Sequence, residues 1–166
     1  MKGSIQKITP NLWFDRQAEE AAMYYTSIFP NSSVGRISRY GSVGHDIHGM
    51  PEGTVMTVEF QLDGQSFVAL NGGPHFSFTE ATSFIVHCAN QMEIDYYWEK
   101  LSEGGDEKAQ ACGWLKDKFG VSWQILPENL SEMIGDSDAE KAALVMKTLY
   151  TQKKINIDAL MAAYEG

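Results

Sequence analysis

The feature that most constrains the fold is an internal repeat. The stretch DGQSFVAL from Asp63 falls on FGVSWQIL from Phe119, so that Gly64 meets Gly120, Ser66 meets Ser122 and Phe67 meets Trp123. Setting NLWF from Asn11 on SFIV from Ser83 also brings YYTSIF from Tyr24 onto YYWEKL from Tyr96. Each half therefore reads as a strand, a helix and roughly three further strands. Repeated units bury a shared face together, and two such units can curve their sheets around one cavity. The expected fold is α+β: two β-α-β-β-β modules forming a curved mixed sheet around a cavity, followed by C-terminal helices. Module one spans about residues 5–75, module two about 82–127, and a helical extension covers 128–166, all in a single domain 1–166.

The local pattern fills in the elements. KITPNLWF, Lys7 to Phe14, is apolar enough for a strand, and Pro10 assigns it to a sheet edge or a bulge. Asp15 is placed to cap a helix reaching Phe29, with Ala18, Ala21, Ala22, Tyr25 and Ile28 at helical spacing. A strand from Val34 to Tyr40 leads into a glycine-rich loop, Gly41 to Gly53, holding His45 and His48. Thr54–Leu62 and Gln65–Asn71 form a hairpin across Asp63-Gly64, a pair suited to the primed turns that match strand twist. Ser83–Cys88 is a short strand. Asn90 with Glu93 three residues on forms a capping box for a helix to about Leu101. Strands near Ala109–Leu115 and Val121–Leu126 pair across KDKFG, and helices from Asp138 to Tyr150 and from Ile157 to Tyr164 pack outside the sheet.

Charge and composition exclude several function classes. With 13 Lys+Arg against 22 Asp+Glu the formal charge is −9, and no basic run stands out, which argues against a nucleic-acid partner. No apolar stretch approaches a membrane span, and MKGSIQKITP lacks the apolar run of a signal peptide, so the expected location is the cytoplasm. Cys88 and Cys112 are too few for a disulfide framework and read as buried thiols.

Several segments resemble one family. ITPNLWFDRQAEEAAMYYTSIFP, FVALNGGPHFSF, DYYWEKLSEGG, CGWLKDKFGVSWQILP and the tail from VMKTLY through KKINIDALMAAY are similar to PhnB-like proteins. Those proteins carry the description 3-demethylubiquinone-9 3-methyltransferase and fall in the vicinal oxygen chelate superfamily of glyoxalase I, bleomycin-resistance proteins and extradiol dioxygenases. The resemblance implies a homodimer and a pocket for a small organic molecule. Metal enzymes of that superfamily place His and Glu ligands on the first and last strands of each module. The repeat projects those places onto Asn11, Ser83, Val68 and Gln124, with Asn71 brought in by a small slip. None is a histidine or a carboxylate, so no metal and no cofactor is expected here.

The pocket candidates are Asn11, Trp13, Asn71, Ser83, His87 and Gln124. Trp13 shares a strand face with Asn11. His87 alternates with Ser83 and Ile85 and is a possible general base or a strand-end histidine. Cys88 points to the opposite face from its neighbour His87, which rules out a direct dyad. The His45-Asp46-Ile47-His48 stretch is either a weak zinc signal or a solvated part of a lid loop. The only double glycines, in NGGP and EGGD, lack the GxGxxG spacing of a nucleotide-type strand-to-helix turn, so methyl transfer from S-adenosylmethionine does not follow from the family description. Two rival readings stay open: a metal-dependent lyase, isomerase or dioxygenase drawing on His45, His48 or His87, and a non-catalytic structural or interaction protein.

Overall fold

A computed structural model describes residues 6–166. The contacts divide the chain into two compact units, the first ending at Ser77 and the second running from Phe78 to Gly166.

The first unit runs β1 (Asn11–Phe14), α1 (Ala18–Ile28), β2 (Ser33–Arg39), a single helical turn α2 (His45–His48), β3 (Val55–Leu62) and β4 (Gln65–Asn71). Its four strands lie in the order β1-β4-β3-β2, with β1 parallel to β4 and the remaining pairs antiparallel. Pro10 thus precedes an edge strand, where a missing N–H does no harm. Leu12 and Phe14 are buried while Asn11 and Trp13 are not, the alternation of a strand with one face on a core. Ala18, Ala21, Ala22, Tyr25 and Ile28 form the buried stripe of α1. Small alanines let the helix approach the sheet closely, and Tyr25 stacks on Phe60, which stacks on Phe67. Burying Ile28 alone contributes roughly 1.5–3 kcal/mol. The Asp63-Gly64 turn is of the primed kind, with φ 47° and 77° and Leu62 paired to Gln65.

The start of α1 differs from the expectation. Gln17, not Asp15, holds the N-cap position and makes no side-chain cap. The cap comes from far along the chain: the Ala18 N–H donates to Asn71 Oδ1 at 2.9 Å. Local spacing could not show a partner 53 residues away.

The second unit runs β5 (Ser83–Cys88), α3 (Gln91–Ser102), a 3-10 turn at Glu107–Ala109, β6 (Trp114–Lys116), β7 (Ser122–Pro127), then α4 (Leu130–Ile134), α5 (Ala139–Leu149) and α6 (Ile157–Glu165). Its sheet has the order β5-β7-β6, with β5 parallel to β7. This repeats the first sheet without its outer strand. Asn90 caps α3 by accepting from the Glu93 N–H at 3.0 Å, and the Glu93 carboxylate accepts from Ala89 N–H at 2.7 Å, a capping box reaching one residue further back than usual.

The strand expected near Ala109–Leu115 shrinks to β6 because the chain turns there. Ala111 and Trp114 exchange both backbone hydrogen bonds around Cys112 (φ 53°) and Gly113 (φ 83°), a two-residue primed turn. The helical tail does the rest. Cys112 N–H and Gly113 N–H donate to the carbonyls of Gln152 and Lys153, both at 2.8 Å. The Gln91 amide donates to Ile155 O and accepts from Ile157 N–H. Val145, Ile155 and Leu160 are fully buried. The tail is part of the second unit's core. α4 carries no signal strong enough to have been read from its five residues.

Candidate functional site

Each sheet has a face turned away from its helix, and the sequence-derived candidates divide between those faces, except Asn71, which lies on the helix side of the first sheet. On the first, register fixes the neighbours: Asn11 lies opposite Val68, and Val68 opposite Glu59. Trp13 lies opposite Leu70, which lies opposite Thr57. A cavity of about 710 Å³ opens on the unit, lined by Gln6, Thr9, Ser33, Gly35, Arg36, Glu59, Gln61, Ser66 and Val68 among others. Arg36 and Glu59 were absent from the sequence-derived set. Glu59 was legible, since Thr57, Glu59 and Gln61 alternate with Val58, Phe60 and Leu62 along β3.

Trp13 is half-buried. Its indole N–H donates to Gly73 O at 2.9 Å, its ring meets Phe76 edge-on at 4.8 Å, and it lies flat over Gly72, where a Cβ would sit 2.2 Å from the ring. Asn71 is 2% exposed and its amide is engaged at both ends, accepting from Ala18 N–H at 2.9 Å and donating to Val55 O at 3.0 Å. Its task is structural: it joins α1, β3 and β4.

On the second sheet, two candidates meet. Gln124 Nε2 donates to Ser83 Oγ at 2.9 Å, a diagonal pair across β5 and β7. The parallel register also corrects the repeat. Gln124 lies opposite Ile85, as its counterpart Val68 lies opposite Asn11, so Ile85 and not Ser83 occupies the position equivalent to Asn11. The slip of two residues keeps the same face, which is why the sequence pattern could not detect it. His87 lies one row further on, exposed, opposite Leu126. Ser122 shares this face, is 1% exposed, and its hydroxyl has no hydrogen-bond partner among the described residues. Lys116 beside it is paired to Glu80 at 2.6 Å, and that hydrogen bond holds the Glu80 carboxyl below its usual range.

The donor set does not suit a catalytic metal. The four equivalent places hold Asn11, Ile85, Val68 and Gln124, and among the described residues no group of three or more His, Cys, Asp or Glu is disposed around a common point. His48 has both ring nitrogens occupied: Nδ1 accepts from Met50 N–H at 3.0 Å and Nε2 faces Val43 O at 3.3 Å. Its ring packs at a tilt of 34° against Tyr40, centroids 4.5 Å apart, and the Tyr40 hydroxyl donates to Asn71 O. The histidine loop is thereby pinned to the end of β4. Cys88 is no nucleophile, since burial, with Glu93 adding to it, pushes its thiol up to about 12.

The arrangement can be set beside known proteins. The family model for 3-demethylubiquinone-9 3-methyltransferase matches residues 6–126. The chain belongs to this family. The PhnB protein of Bacillus cereus, which bears the same description, is 39% identical over 74% of this chain and 99% of its own, with a TM-score of 0.63. A Staphylococcus aureus protein is 30% identical over 75% of this chain and 98% of its own, with a TM-score of 0.33. A Pseudomonas aeruginosa protein of 19% identity covers 75% of this chain and 98% of its own, and its TM-score of 0.55 reflects a common fold. Comparison with curated proteins gave no match. As a PhnB-like protein, the chain has the mixed α+β fold its motifs indicated. The family match ends at residue 126, so the tail lies outside the matched segment. The family description names a methyltransferase, but Asp15, Arg16 and Gln17 join β1 to α1, and Ala89 and Asn90 join β5 to α3. Neither junction has the glycine-rich phosphate turn of a doubly wound fold. No helix among the described residues is long and apolar enough to cross a membrane.

Proposed function

We propose that this PhnB-family protein binds a small organic molecule on the helix-free face of its first sheet, without a metal ion. The observation that carries the reading is the cavity of about 710 Å³ lined by β2, β3 and β4, within the range of small-molecule sites. Of its polar groups, Ser33, Arg36, Glu59, Gln61 and Ser66 are fixed to strands, as orientation of a small ligand requires. Asn11 and Trp13 extend the same face along β1. The reading includes a cytoplasmic homodimer.

The test is a fragment library screened by thermal shift, with hits measured by calorimetry against wild type and Val68→Trp. Val68 sits at the centre of the face, opposite both Asn11 and Glu59, so the indole obstructs the middle of the cavity. Hits whose binding is lost in the variant support the reading. A screen in which every hit binds Val68→Trp unchanged sinks it.

A further inference from the structure

The cavity of the first unit carries two opposite charges that do not neutralise each other. Arg36 and Glu59 both line it, both are exposed, and neither has an ion-pair partner among the described residues. Their placement has a cause in the backbone. Val34 pairs with Phe60 and Ile37 with Val58, so Gly35 and Arg36 together stand opposite the single residue Glu59. That is a β-bulge, a device that re-aims a side chain at the point of insertion. The bulge sits tight on Glu59: a Cβ on Gly35 would lie 3.2 Å from the Glu59 carbonyl oxygen. Glycine keeps the two strands close there, and the next residue, Arg36, is turned into the cavity beside the glutamate.

From this geometry we infer that the ligand is a small zwitterion of the α-amino acid class. Its carboxylate pairs with the planar fork of the Arg36 guanidinium, which matches a carboxylate in two-point contact. Its ammonium pairs with the Glu59 carboxylate. Ser33, Gln61, Ser66 and Thr9 line the rest of the cavity with hydroxyl and amide groups, which suits a polar side chain on the ligand. A monoanion would leave Glu59 facing it with like charge, and a simple amine would meet Arg36 in the same way. Only a ligand bearing both charges is favoured by both walls.

The inference rests on the binding reading above. Calorimetry would measure the common L-amino acids, with L-glutamine as the reference probe, beside N-acetyl-L-glutamine, which lacks the ammonium, and L-glutaminamide, which lacks the carboxylate. The expected result is that each blocked form binds about fivefold more weakly or worse, as loss of one partly exposed charge contact implies. Arg36→Gln should erase the preference for L-glutamine over its amide, and Glu59→Gln the preference over the acetyl form. Both positions are exposed, so both variants keep the wild-type melting temperature. Blocked forms that bind as well as L-glutamine, or variants that leave the preferences intact, overturn the zwitterion class. So does failure of every amino acid in a protein that still takes up neutral fragments in a Val68→Trp-sensitive way, and that outcome leaves the binding reading standing. If no fragment shows that sensitivity either, both fall.

Discussion

Asn71 joins three elements through one residue. Its side chain caps α1 and ties Val55, and its backbone carbonyl accepts from the Tyr40 hydroxyl at 2.7 Å. Asn71→Ala is expected to lower stability by about 2–4 kcal/mol, from a lost cap and a buried carbonyl left without its donor, measured by urea unfolding. An unchanged midpoint would show that water replaces the amide. Cys88 gives a second test. A thiol raised from its usual 9.0 to about 12 favours the neutral form, so its contribution is present below pH 9 and lost as pH rises toward 12. At pH 8 iodoacetamide is expected to label the half-buried Cys112 and to reach Cys88 only on unfolding. Equal labelling rates would contradict the burial. Sequence pattern singled out Asn71, Ser83 and Gln124 as polar residues among apolar neighbours. It could not separate an amide engaged by distant backbone from one paired only to a neighbouring strand, because that difference lies in contacts 41 to 53 residues apart.

At the scale of elements, the strand-helix repeat was readable because turn glycines and burial periodicity act locally. Gly64 and Gly120 both adopt left-handed φ, 77° and 87°, at the two hairpin ends. The missing outer strand of the second sheet was not readable, since what replaces it comes from the tail. Gly113 sits where that replacement is tightest. A Cβ there would lie 2.7 Å from Leu126 Cδ2 and 3.0 Å from Ile125 O, at a φ of 83°. Gly113→Ala is expected to destabilise by about 2 kcal/mol or more, seen as a lower melting temperature. The other end of the tail has a pH signature. The Tyr164 hydroxyl donates to Asp136, and this bond, with Asp138 N–H and the Lys141 charge, holds the Asp136 carboxyl below its usual 3.8. A depressed carboxyl stabilises the fold above its unfolded value, and that contribution is lost as pH falls through the folded one. Tyr164→Phe is therefore expected to lower stability at neutral pH and to flatten the acid limb below about pH 4, the two proteins converging at low pH. Identical acid profiles would remove the role.

For the whole molecule, the family match and the folding unit do not end together. The match stops at residue 126, whereas the second unit runs to Gly166 and buries Val145, Ile155 and Leu160. Removing residues 128–166 is expected to yield aggregated protein or a protein whose second unit has lost amide-exchange protection, not a trimmed but intact fold. In sedimentation the full chain is expected at twice its 18.5 kDa mass, and a single species at the monomer mass refutes the homodimer reading. The bonds from Cys112 and Gly113 to the tail also have a consequence for synthesis. The donors at Cys112 and Gly113 wait for acceptors that are about forty residues younger on the ribosome. Until Lys153 has emerged, the turn leading into β6 presents open backbone N–H groups to any passing strand, so the nascent chain is most exposed to mispairing and to chaperones just before its last helix appears.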